Sequence, residues 1–271
     1  MNKDLYSISF SLFFFLTFSV HAQFKSPNNA YLEGAVSAQF ADLDQDGFAD
    51  LIIGTRNGVR YIPNTSGKIS IENMRTIGSD DEVVHMADID GDGLADLLTA
   101  STTTAGVRWF QNSGNANLVG PMELLKDGLV KHIATADLNN DDRIDIIINT
   151  NDKGVLVALQ SFEGNYEDPI VLLSQTAERA PWFNDIDGDG DLDVVMDIDN
   201  HSKWGGNVNG TGTFGAVQPL TGTGSAILAD LDGDGKKDLL RIDPTLRAIV
   251  WQKRLGTMFT FAADNIIAQG V

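Results

Sequence analysis

Aspartate at alternate positions of a short loop suits one task well: its carboxylate oxygens can converge on a hard cation. The chain carries five such nine-residue loops, at 42–50, 88–96, 137–145, 185–193 and 230–238. In four of them positions 1, 3, 5 and 9 are all aspartate. These are Asp42, Asp44, Asp46 and Asp50; Asp88, Asp90, Asp92 and Asp96; Asp185, Asp187, Asp189 and Asp193; and Asp230, Asp232, Asp234 and Asp238. The third loop reads Asp137, Asn139, Asp141 and Asp145. Glycine at position 6 (Gly47, Gly93, Gly190, Gly235) permits the positive φ of a tight turn, and Asp142 stands there in the third loop. The main-chain carbonyl of position 7 adds a further oxygen.

Such a loop is costly without a cation. Two carboxylates ~5 Å apart repel by roughly 3 kcal/mol at an effective dielectric of 20. All-oxygen ligands favour calcium over zinc or copper, and a shell supplied mostly by protein disfavours magnesium. Up to five structural Ca2+ ions are therefore expected, the third loop being the weakest site. Isolated Asp-Gly clusters are often plain solvated turns, but five copies in register argue against that. An EF-hand is excluded, because its position-12 Glu is replaced by Ile53, Thr99, Ile148, Met196 and Arg241 and the flanks read as strands.

The elements that must hold these loops repeat with them. The first aspartates lie 46, 49, 48 and 45 residues apart. Before each loop runs a short strand (36–41, 83–87, 131–136, 180–184, 225–229), ending in a mostly large residue and then a small one. After each loop comes a continuous apolar run, such as Leu51-Ile52-Ile53 or Ile146-Ile147-Ile148, typical of a strand covered on both faces. Third strands are expected at 59–62, 107–111, 155–160, 203–208 and 248–252, followed by Gly/Asn turns. Fourth strands follow, for example at 214–220 and 258–262. Four short strands per unit of this length make a propeller blade, whereas no sustained helical stripe appears. The expected fold is an all-β propeller of four-stranded antiparallel blades over 23–271. Its five repeats either close with a spare strand or form the front part of a longer ring.

Composition fits this picture. The formal charge is −19, yet 21 of the 38 acidic residues lie in the five loops. Five divalent ions would leave about −9, an ordinary acidic surface. The 19 Lys and Arg residues are scattered, so no nucleic-acid groove is expected. Residues 1–22 read as a signal peptide with Lys3 and a Phe-rich apolar stretch at 12–20, cut before Gln23. No later segment would span a membrane. The absence of cysteine fits a bacterial secreted, periplasmic or cell-surface protein whose loops are held by metal clips.

With these loops, the chain resembles the FG-GAP/VCBS repeat proteins, including the integrin-α N-terminal propeller. Segments such as Gly58-Val59-Arg60-Tyr61, Gly106-Val107-Arg108-Trp109 and the Asn207–Phe214 stretch carry the likeness further. The resemblance implies DxDxDGxxD calcium loops between the first two strands of each blade and commonly seven blades. It implies a scaffold or recognition role for protein or glycan ligands, and leaves as the rival the propeller part of an extracellular polysaccharide lyase or hydrolase. Tyr61, Trp109, Trp204 and Trp251 share a third-strand position; they could stack on sugars but are better placed to pack between sheets. His85, His132 and His201 share no repeat position. No catalytic motif is present, so an enzyme is not expected.

Overall fold

The computed structural model describes residues 34–270 except 79, 163, 221 and 257–259. The expected signal peptide lies outside the described residues. Within them, five four-stranded antiparallel sheets follow one another along the chain, each pairing its strands in sequence order. Blade 1 comprises Ala35–Ala41, Asp50–Thr55, Gly58–Ile62 and Arg75–Ile77. Blade 2 comprises Val83–Ala87, Asp96–Ala100, Val107–Asn112 and Leu118–Leu125. Blade 3 comprises Val130–Ala136, Asp145–Thr150, Gly154–Ala158 and Ile170–Leu173. Blade 4 comprises Trp182–Asn184, Asp193–Ile198, His201–Gly205 and Gln218–Pro219. Blade 5 comprises Ala226–Ala229, Asp238–Asp243, Ala248–Gln252 and Asn265–Gln269. The β-propeller architecture expected from the repeat is present.

One register recurs in every blade. The residue before the acidic loop faces the loop's last aspartate: Ala41–Asp50, Ala87–Asp96, Ala136–Asp145, Asn184–Asp193 and Ala229–Asp238. A small residue is needed there because the partner aspartate is fully buried. The second strands of blades 2, 3 and 4 are buried at every residue, as their unbroken apolar runs require.

The outer strands depart from expectation. In blade 4 the fourth strand shrinks to Gln218–Pro219, much shorter than 214–220. In blade 5, Thr260–Phe261 forms a small ribbon with Arg254–Leu255, and Asn265–Gln269 closes the sheet instead. Similar two-stranded ribbons extend the hairpins of blades 1 and 3. Outer strands carry little burial to fix their register, so polar hairpins can grow or shrink there.

The core is not inside the sheets but between them. Leu43, Ile52, Met86, Leu97 and Phe110 join blades 1 and 2. Ile89, Leu98, Ile146 and Ile148 join blades 2 and 3. Leu138, Ile147, Val194 and Met196 join blades 3 and 4, while Ile186, Val195 and Leu239 join blades 4 and 5. Truncating such a residue to Ala costs about 2–5 kcal/mol. The two outermost faces differ. Phe40 is 63% exposed on blade 1, and Leu231 and Ile242 are 45% and 59% exposed on blade 5. The residues matching Leu231 in the earlier blades, Leu43, Ile89, Leu138 and Ile186, are at most 2% exposed.

The first strands are joined by side chains rather than backbone. Ser37 Oγ donates to the Glu82 carbonyl and accepts from Val84 N–H. Gln39 Oε1 accepts from Met86 N–H, and its amide nitrogen lies 3.3 Å from His85 Nδ1. His85 Nε2 lies 2.9 Å from Thr135 Oγ1, so one imidazole links three blades. Burial lowers the His85 pKa to about 4. His85 is thus a neutral packing residue, in keeping with its lack of metal-type spacing.

Candidate metal centres

Each acidic loop leaves the first strand and returns as the second. Its backbone curls through two left-handed residues, at positions 4 and 6. Position 6 is Gly47, Gly93, Gly190 or Gly235, with φ between 81° and 99°, and in the third loop Asp142 at 63°. Position 4 is also left-handed in every loop, from Gln45 at 62° and Asn140 at 57° to Gly188 at 88°. Asn and Asp tolerate this region better than most residues, so the third loop keeps the same curl without glycine.

The first aspartate organises the turn. One of its oxygens accepts from the position-6 N–H: Gly47 and Gly93 to Asp42 and Asp88 at 2.9 Å, Asp142 to Asp137 at 2.9 Å, Gly190 to Asp185 at 3.3 Å and Gly235 to Asp230 at 2.9 Å. The position-5 aspartate accepts from the position-7 N–H in all five loops, at 2.8–3.0 Å.

The last aspartate has a different task. Asp50, Asp96, Asp145, Asp193 and Asp238 are fully buried. Each accepts the N–H of loop position 2 with one oxygen, at 2.8–3.2 Å. The other oxygen accepts the N–H of a residue at or just past the end of the third strand: Asn64, Asn112, Gln160, Asn207 or Arg254, at 2.7–2.9 Å. The loop is thereby tied to the next hairpin before any cation is considered. Tyr61 adds a hydroxyl donor to Asp50 at 3.1 Å.

The residue at the end of the third strand does a second job that sequence reasoning missed, having read Asn64 and Asn112 as the start of a turn and Gln160 and Asn207 as part of the third strand. Asn112 donates to the Leu43 carbonyl of the preceding blade at 3.0 Å. Gln160 does the same to Ile89 at 3.0 Å and Asn207 to Leu138 at 2.7 Å, while Arg254 reaches the Asp187 carbonyl at 3.1 Å. Loops 1 to 4 are therefore each stapled by a side chain of the following blade. The available signal was a long polar side chain at one repeat position: Asn64, Asn112, Gln160, Asn207 and Arg254.

Convergence of the carboxylates separates the loops. In three of them, oxygens of positions 1, 3 and 9 lie within 4.8 Å of one another: Asp42, Asp44 and Asp50; Asp88, Asp90 and Asp96; Asp185, Asp187 and Asp193. In the fifth loop the group is Asp230, Asp232 and Asp234, without Asp238. In the third loop Asn139 stands at position 3, so three carboxylates of positions 1, 3 and 9 are not available there. Burial raises Asp96, Asp145 and Asp193 to about 6, against the pull of their backbone hydrogen bonds. Burial and then the charge of Asp50 raise Asp44, and burial chiefly raises Asp187. A divalent cation among such oxygens would relieve both the mutual repulsion and the missing hydration. The residues of loops 1, 2 and 4 fit one, with positions 1, 3 and 9 as holders.

Local cations modify two loops. Lys253 Nζ pairs with Asp232 and lies 2.9 Å from Asp234 in the fifth. Arg143, at position 7 of the third, pairs with Asp141 of its own loop.

The aromatic candidates mostly pack. Tyr61 and Trp109 are 4% and 6% exposed within the junction cores, and Trp204 packs against the core between blades 4 and 5. Trp251, half-buried, lies on blade 5 beyond the last junction. An open groove of about 320 Å³ runs between blades 1 and 2, lined by Tyr61, Arg75, Asn117 and their neighbours. Arg75 lies 5.8 Å over the Tyr61 ring. Among the described residues no helix is long and apolar enough to cross a membrane.

Comparison with solved structures returns propeller-like folds. A lectin of Agrocybe aegerita, described by its specific recognition of non-reducing terminal N-acetylglucosamine, superposes with a TM-score of 0.64 at 21% identity over 88% of this chain. The N-terminal part of BBS1 in complex with ARL6 superposes at 0.52 with 11% identity over 84% of this chain, and 67% of its own. An auxiliary nutrient binding protein of Bacteroides ovatus gives 0.50 and 11% over 80%. The chain spans 66% of the lectin's length and 55% of the nutrient-binding protein's. No curated protein matches the chain. The FG-GAP-like repeat matches residues 42–99, 88–148 and 185–241, more than half of the chain. Blades built around tied acidic loops and this repeat match lead to one statement of kinship: the chain belongs to the FG-GAP-like repeat family.

Proposed function

We propose that this protein is an exported, non-catalytic propeller that uses calcium to fix its acidic loops and presents the assembled blades as a recognition surface. The observation that carries the calcium reading is the convergence of three aspartates within 4.8 Å in loops 1, 2 and 4. Oxygen-only donors on a curled backbone suit Ca2+. With dissociation constants near 10⁻⁴ M and millimolar calcium, each occupied site would add ~1.4 kcal/mol. Export would place the chain where such calcium concentrations prevail, and the reading of residues 1–22 as a signal peptide is what favours that location.

The ligand class follows less directly. The similar lectin and nutrient-binding folds support a glycan or protein ligand, and the groove beside Arg75 and Tyr61 offers a guanidinium and an aromatic ring for one. Calorimetric titration of calcium into chelator-treated protein tests the first part; heat of binding at several sites is expected, and none would refute it. A glycan array probed with the calcium-loaded protein tests the second. Binding that disappears on Arg75→Ala supports the groove, and an array without hits leaves protein ligands.

A further inference from the structure

The third loop keeps the backbone of its neighbours, but Asn139 replaces the position-3 aspartate and a cation of the chain itself lies in the loop. Arg143 occupies position 7, where loops 1 and 2 have Phe48 and Leu94. Its Nη2 pairs with Asp141 at position 5, and its Nε donates to the Gln160 carbonyl at 3.2 Å. Gln160 is the staple residue of the same blade, 2% exposed and tied to both Asp145 and Ile89. The guanidinium is thus held from two directions, by the loop and by a fixed part of the sheet. Asn139 replaces the second aspartate, and its amide nitrogen donates to Asp141 at 3.0 Å. The loop carries one carboxylate less at position 3 and one positive charge more.

We infer that Arg143 is the resident cation of the third loop, which therefore folds without a metal ion while loops 1, 2 and 4 require one. A guanidinium offers planar donors to a carboxylate and remains charged at any physiological pH, so it neutralises Asp141 permanently. Fixed at Nε by the Gln160 carbonyl, it also holds the Asp141 carboxylate at its place in the loop. The Asn139 Oδ1 atom is buried in this loop without a donor. Removing the guanidinium would leave that oxygen with three carboxylates and so open a metal site. The fifth loop is a different case: Lys253, no more exposed than Arg143, reaches its aspartates with a strongly hydrated ammonium on a flexible stem that an arriving ion can displace. Metal-free folding of the third loop would place a calcium-independent blade in the middle of the repeat.

The metal half of this inference rests on the calcium reading of loops 1, 2 and 4, so two readouts are needed. Native mass spectrometry of the full chain, stripped with chelator and then given Ca2+, counts ions. Arg143→Met, which keeps the apolar stem, should bind one ion more than the wild type; Asp137→Asn should leave the wild-type count unchanged, whereas Asp88→Asn should lower it by one. An unchanged count in R143M, or a lost ion in D137N, overturns the inference. If the wild type binds no calcium anywhere, the calcium reading falls, and the resident-cation claim is judged by melting in chelator alone. There R143M should melt roughly 3–6 °C lower, with Arg143→Lys recovering most of the difference. Equal melting of R143M and the wild type in chelator overturns the claim by itself.

Discussion

Loops 2 and 3 share a curl, a register and a buried final aspartate, yet they solve the same electrostatic problem in opposite ways. In loop 2, Asp88, Asp90 and Asp96 gather their oxygens in one place. In loop 3, Asn139 and Arg143 replace that convergence with an ion pair inside the loop. Backbone shape and cation demand are therefore separable. Left-handed turns at positions 4 and 6 and the double hydrogen bond to position 9 build the loop, whichever charge balances it.

The largest effect should come from chelation. If four sites each contribute ~1.4 kcal/mol at a tenfold excess of calcium over the dissociation constant, stripping them should lower the melting temperature by about 10–20 °C. Differential scanning calorimetry with and without chelator measures this; superimposable melts after verified calcium removal would remove the structural role.

Next come the position-9 aspartates, which should behave alike in both loops. Asp96→Ala and Asp145→Ala each strand two buried backbone N–H groups, a loss of about 2–5 kcal/mol. Urea denaturation in chelator should show both losses, since neither needs a metal. If neither variant were destabilised in chelator, position 9 would be a ligand and little else.

The staples should give a smaller effect. Asn112→Ala removes the donor to the Leu43 carbonyl and should cost about 1–3 kcal/mol. Asn64→Ala removes only a bond within its own blade, to Ala49, and should cost less. Equal losses in the same denaturation assay would mean that the inter-blade bond adds nothing.

The smallest effect concerns acid. Asp96 and Asp193 sit near 6 in the metal-free fold, above their unfolded value, so a proton stabilises the ionless loop as pH falls through 6. The same proton competes with calcium. The calcium-induced gain in stability should therefore shrink between pH 7.5 and 5, by about 1 kcal/mol for each of these sites. Taking the difference between calcium and chelator melts removes the separate acid sensitivity of His85, whose lowered pKa costs stability from its unfolded value near 6.5 down to about 4. A calcium gain independent of pH would show that position 9 does not take part in holding the ion.

Much of this could be read from the residues in order. Asp at alternate positions located the loops, the small residue before each loop marked the strand pairing, and the apolar triplets marked strands buried on both sides. What stayed hidden depended on neighbours distant in sequence. Asn112 looks like a turn residue until Leu43 is brought against it, 69 positions away. Arg143 looks like a surface residue until Gln160 fixes its Nε. Position 4 went unnoticed because Gln45 and Asn140 take the left-handed conformation as glycine does in the other loops. The outer strand of blade 5 was misplaced because Thr260–Phe261 and Asn265–Gln269 are both short, and only pairing with Ala248–Gln252 distinguishes them.

The most direct test of the central claim is crystallographic: anomalous difference density from crystals of the full chain grown in calcium, or with Tb3+ in its place. Peaks within the carboxylate clusters of loops 1, 2 and 4, and none at loop 3 beside Arg143, are the expected result. Loops 1, 2 and 4 without a peak at saturating ion would contradict it.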